Sequence, residues 1–107
     1  MKLLTEELRA ELPALYSTEG TSAMDKHVYA KFFFPMGNWT WFVLEGSDQE
    51  DDFLFFGYVV GLEEELGYFL LSELEGIDIH GLTVERDLYF TPGTLREVLE
   101  QFRRERA

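Results

Sequence analysis

The sequence predicts an α+β domain: a single antiparallel β-meander of four to five strands, with an N-terminal and a C-terminal helix packed on it. Two observations carry this. The β-rich runs HVYAKFFF, WTWFVL, FLFFGYVV and GYFLL succeed one another through short connections, which implies antiparallel pairing of neighbours in sequence. A capped amphipathic helical stretch flanks them at either end.

The first helix is predicted over 5–12. Thr5 supplies the N-cap, Glu6 and Glu7 favour the positive end of the dipole, and Leu8, Leu12 and Leu15 recur at helical spacing. Pro13 stops it. The polar stretch STEGTSAMDK, residues 17–26, reads as a loop. Strands are expected at about 27–34, 39–45, 53–60 and 67–71, with a fifth candidate at 82–90. PMGN suits a type I turn between the first two, with Pro35 at its second position. EGSDQEDD reads as a charged connector between the second and third. Ser72 and Glu75 have capping-box spacing for one short helical turn ahead of Gly76. The last helix, 94–105, opens on a capping box of Thr94 and Glu97, with Leu95, Val98, Leu99 and Phe102 as its apolar stripe.

In WTWFVL both alternating sets of side chains are largely apolar, and FLFFGYVV repeats the pattern. Strands apolar on both faces are covered on both. The expectation is therefore one helix on each side of the sheet, or a dimer partner on the second, the alternative being an exposed aromatic surface on that second face. Trp41 belongs to the core, while Trp39, one step from the turn, is partly wet.

The 107 residues form one domain, 1–107, of ordinary size. There is no cysteine, hence no disulfide, thiolate metal site or cysteine nucleophile. The opening MKLLTEELRAEL turns acidic too early for a signal peptide. No run approaches the ~18 apolar residues of a membrane helix. These features lead to the expectation of a soluble cytoplasmic protein, monomer or homodimer, without membrane contact.

Twenty-one acids oppose nine bases, for a net charge of -12. Between Lys31 and Arg86 there is no Lys or Arg, while twelve acids fall there. Nucleic-acid binding depends on cations that displace phosphate counterions, so this composition argues against a direct nucleic-acid partner and for a basic protein partner. The candidate interaction surface is Asp48, Glu50, Asp51 and Asp52 together with Glu63, Glu64 and Glu65.

Other chemistry is thinly supported. Asp48, Glu50 and Asp52 alternate like calcium-loop ligands, but Phe53 and Val59 occupy the places of the required glycine and bidentate glutamate. His27 and His80 lack a ligand spacing. GLEEELG places glutamates where a phosphate would sit. No metal or other cofactor is expected, and no catalytic residue stands out. Arg86 does stand out, because alternation along 82–90 puts it on an apolar face between Val84 and Leu88. A charge there must be paired, and Glu45 is the expected partner. The alternative is a ligand-binding or enzymatic pocket, aromatic-lined by Trp39, in which Arg86 and nearby carboxylates hold an anionic group.

LLTEEL followed by LPALY, then VYAKFFFP, NWTWF, FFGYVVGLEEELGYF, SEL and ERDLYFTP resemble, in this order, the bacterial family called domain of unknown function 2958. The resemblance runs from about Lys2 to about Leu99. It implies an intracellular accessory protein of mobile DNA and brings no catalytic residues to this chain. The leading expectation is a non-enzymatic acidic module that engages a basic protein.

Overall fold

The structure, a computed structural model, describes residues 1–106. Helix α1 spans Glu6–Glu11, and the Leu8 amide donates to Thr5 Oγ1 at 3.1 Å. Leu12 is already extended, as the residue before a proline prefers. A 3₁₀ turn, Ala23–Asp25, leads to β1 (His27–Val28) and β2 (Ala30–Phe33). Then come β3 (Thr40–Gln49), β4 (Asp52–Val60), β5 (Glu64–Leu70) and helix α2 (Leu71–Glu75). Short pieces follow: β6 (Asp78–Ile79), β7 (Leu82–Thr83), β8 (Glu85–Arg86) and β9 (Gly93–Thr94), before helix α3 (Leu95–Arg106). Among these helices none is long and apolar enough to cross a membrane.

The class is α+β, and the main sheet is antiparallel with the order β5-β4-β3-β2-β8. Four strands form the expected meander, and β8 closes onto β2 from the far end of the chain. Both faces are covered. Leu3, Leu4, Leu8 and Leu12, with Leu74 of α2, pack on Phe32, Trp41, Val43, Phe55 and Phe69. On the other face Leu95, Val98 and Leu99 of α3 pack on Val28, Phe42, Leu44 and Val60. Trp41 is 6% exposed and Trp39 42%, so the two part company as their distance from the turn suggests.

Several local expectations need correction. EGSDQEDD is mostly strand: β3 and β4 stay paired to Gln49↔Asp52, leaving Glu50 and Asp51 as the loop, with Glu50 at φ 53°. Exposed acidic side chains do not stop a ladder whose backbone is paired. The strand expected at 27–34 breaks at Tyr29, and its first part pairs with β9 instead. The strand expected at 82–90 does not exist as one element. Leu82–Thr83 folds back on Asp78–Ile79, and only Glu85 and Arg86 join the sheet. PMGN is a four-residue loop closed by Phe34 N–H to the Trp39 carbonyl, with Gly37 at φ 128°. At α2 the capping carboxylate is Glu73, which accepts from the Leu70 amide at 2.8 Å, and not Glu75. At α3 the box is Thr94 and Glu97, as spaced.

The ladder between β3 and β4 is irregular at one point. Its register shifts between Val43 and Glu45, so Leu44 is an extra residue. Such a bulge puts two successive side chains on one face. Glu45 therefore faces the α3 side with Leu44 instead of alternating back to the side of Val43. Gly57, opposite Val43, admits the close approach: a Cβ there would lie 2.1 Å from the Phe42 carbonyl oxygen.

Candidate functional site

The seven carboxylates expected to form one surface lie at opposite ends of the sheet. Asp48, Glu50, Asp51 and Asp52 sit at the β3–β4 tip, and Glu63, Glu64 and Glu65 at the β4–β5 turn. The nine residues of β4 separate them, roughly 25–30 Å at strand rise.

The β3–β4 tip is largely committed to the fold. Arg9 pairs with Asp48. Asp52 accepts from the Ser72 hydroxyl, the Ser72 amide and the Phe53 amide, which ties the hairpin to the first turn of α2. The Ser72 hydroxyl, and next the Phe53 amide, hold the Asp52 carboxyl below the ordinary range. Glu50 and Asp51 remain at the exposed tip.

The opposite end has a different character. Trp39 stacks on Trp41, ring centroids 6.0 Å apart, and lies across Gly61 so closely that a Cβ at that position would fall within 2.3 Å of the indole. Leu62 projects from the turn, 95% exposed, and Met36 lies exposed in the neighbouring loop. Glu63 and Glu65 flank these apolar groups. Glu64 accepts from Arg103 of α3 at 2.9 Å and from the Tyr58 hydroxyl at 3.1 Å. That arginine, followed by the tyrosine, lowers the Glu64 pKa, while burial and then Glu64 raise that of Tyr58. The result is an exposed tryptophan and leucine bordered by carboxylates.

Glu45 is buried and structural. It accepts from the Tyr16 amide at 2.8 Å, from the Thr18 amide at 3.3 Å and from the Thr18 hydroxyl, with the Lys26 ammonium 3.9 Å away. These bonds hold residues 13–18 along β3 beyond the end of β2, where Gly46 N–H also reaches the Pro13 carbonyl. Tyr16 is held there at φ 69°.

The expected pair of Arg86 with Glu45 does not form. Arg86 is half-buried and donates to Thr5 Oγ1 at 3.3 Å. The alternation that placed it on an apolar face assumed a continuous strand, and the chain supplies only two paired residues. It borders an open groove of about 240 Å³ that also carries Glu7 and Glu11. Trp39 is not among the lining residues of that groove. A larger open groove, about 720 Å³, separates α3 from residues 87–93 and is crossed at its base by the Lys31–Asp87 ion pair. Among the described residues, no three His, Cys, Asp or Glu side chains gather closely enough to hold a metal ion.

Sequence reasoning missed Leu62, which lies in the GLEEELG stretch it read as a polar turn, and Tyr68, which it placed in a strand without a role. Tyr68 is 51% exposed and meets Tyr16 at 6.1 Å between ring centroids. A lone leucine between glycine and three glutamates was the available signal for the first. For the second there was none, since β5 becomes an edge only once the strand order is known.

The family described as "Protein of unknown function (DUF2958)" matches residues 3–104. No curated protein and no solved structure matches the chain.

Proposed function

The chain belongs to this family, and from that premise we propose that it is a non-enzymatic interaction module of the cytoplasm, of mobile-element type, that engages a basic protein through the β4–β5 end of its sheet. The observation that carries this is the juxtaposition of exposed Trp39 and Leu62 with Glu63 and Glu65. Tryptophan in a flat, preformed setting is the residue type that most often anchors an interface, and a charged rim steers association and selects the partner. Five of the nine bases are held in ion pairs within the fold, so the excess of carboxylates is left to act outward. Arg86 gives no comparable support to a pocket for an anion, because its groove is open and carries two glutamates.

The test is binding to a panel of defined basic proteins, nucleases and DNA-compacting proteins included, across a salt series. Binding that weakens with salt, and is lost both in Trp39→Ala and in the double variant Glu63→Gln, Glu65→Gln, supports the reading. Binding indifferent to both changes overturns it. So does retention of DNA near physiological salt that Trp39→Ala abolishes, since the tryptophan would then be a stacking platform for bases.

A further inference from the structure

Among the described residues the main sheet ends in two strands, the two-residue β8 and the seven-residue β5, and β5 is the long open edge. On one side β8 closes β2, and residues 13–18 lie along the half of β3 that β2 leaves bare. On the other side β5 has β4 as its only strand neighbour among the described residues. Its register runs without a bulge from Val60↔Glu64 to Leu54↔Leu70.

The hydrogen-bonding parity of that edge is fixed by the turn. Gly61 N–H donates to the Glu63 carbonyl, and hydrogen-bonded pairs recur at every second residue of an antiparallel ladder. Glu65, Gly67 and Phe69 therefore turn their amides to β4, and Glu64, Leu66, Tyr68 and Leu70 turn theirs outward. Leu70 agrees, since its amide donates to Glu73 and not to β4. On that outer side the Leu66 and Tyr68 amides face no strand of the described residues. Natural edges are blunted by charge, proline, bulges or a covering segment. Here the span from Leu66 to Phe69 has none of these.

Resting on the proposed engagement of a basic protein, we infer that β5 receives an extended segment of that partner as a sixth strand. Trp39 and Leu62 lie at the end of the sheet where β5 begins, so one surface continues into the other. The side chains beside the edge specify what fits. On the α3 face, Leu66 and Tyr68 stand 42% and 51% exposed, with Tyr16 against Tyr68. On the opposite face are Glu65, the bare backbone of Gly67, which has nothing within 4 Å of its Cβ position, and buried Phe69. Successive residues of an added strand point to opposite faces. The segment that matches alternates apolar residues, toward Leu66 and Tyr68, with lysine or arginine, toward Glu65. A second copy of the chain is the poorer occupant, because each brings a net charge of -12.

The probe is a peptide of alternating lysine and valine, as long as the seven residues of β5, together with two versions N-methylated at one or the other alternate set of residues. Strand addition slows amide exchange at Leu66 and Tyr68 and leaves Gly67 and Phe69, already bonded to β4, unchanged. N-methylation of one set, but not the other, lowers affinity by about tenfold or more through lost backbone hydrogen bonds. Leu66→Pro removes an outward amide without breaking the β4 ladder, and Tyr68→Lys repels the peptide at an exposed site; both weaken binding. Equal binding of all three peptides overturns the inference. So does protection of Leu66 and Tyr68 without peptide that rises with protein concentration alongside a doubled mass, which assigns the edge to a second copy. If Trp39→Ala abolishes binding of a basic protein while Leu66→Pro leaves it intact, the added strand fails and the Trp39 surface stands.

Discussion

Trp39 and Trp41 stack with their planes 24° apart, yet the first is 42% exposed and the second 6%. The same alternate row of β3 thus supplies a core side chain and, one step beyond the strand, a surface one resting on it. Trp41→Ala leaves a large cavity and costs on the order of 3–5 kcal/mol, a large part of the roughly 5–15 kcal/mol that typically holds a domain together. Trp39→Ala keeps the fold. Denaturant titration, with near-ultraviolet circular dichroism on both variants, measures the contrast. Two equally stable variants would contradict the burial assignment.

The acidic tip separates into working and idle carboxylates. Asp52→Ser breaks the connection of the hairpin to α2 and lowers the melting temperature, because three donors lose their acceptor. Glu50→Ser and Asp51→Ser, at the exposed loop, leave it where it is or raise it slightly by easing like-charge repulsion. Calorimetry on the single variants checks the order.

Glu45→Ala strips the acceptor from two part-buried amides and leaves the largely buried Lys26 ammonium without its carboxylate. Removing one partner of such a buried set costs about 3 kcal/mol or more. Residues 13–18 then lose their hold on β3, and amide exchange at Tyr16 and Thr18 accelerates before that of the sheet. Unchanged protection there would remove Glu45 as the anchor of this segment.

Stability should fall on the acid side. Asp25, Asp52, Glu64 and Glu97 are held below their ordinary values of 3.8 and 4.5. The causes are Arg96 beside Asp25, the Ser72 hydroxyl on Asp52, Arg103 beside Glu64 and the Thr94 amide on Glu97. A carboxyl depressed in the folded state contributes stability that is present above the unfolded pKa and is lost as pH falls through the folded one. The loss begins near the ordinary glutamate value of 4.5 and deepens below it. Thermal melts from neutral pH into the acid range follow it, and Glu64→Gln should flatten the curve.

Gly57→Ala drives a methyl into the Phe42 carbonyl next to the β3 bulge, a backbone atom that cannot move aside. The variant should be strongly destabilised. Gly67→Ala, with open space at its Cβ position, should be tolerated. Comparable melting temperatures for the two would mean that the bulge relaxes.

The sequence by itself determined the class and much of the frame. Phe42 and Trp41, adjacent and both apolar, required cover on both faces, and the caps at Thr5 and Thr94 fixed where the outer helices start. These are local signals: period, propensity and short-range hydrogen bonds act within a few residues. What the tertiary structure decided is everything that depends on a strand's neighbour. Glu45 changed faces because of a bulge set by β4. Arg86 lost its expected environment because only two residues of its segment found a partner strand. The acid runs at Asp48 and Glu63, close in composition, came to rest at opposite ends because a nine-residue strand stands between them. Leu66 and Tyr68 became an open edge because β8, far away in sequence, closed the other side of the sheet. Hydrogen-bond pairing between strands joins residues by register, and register is written in two segments at once.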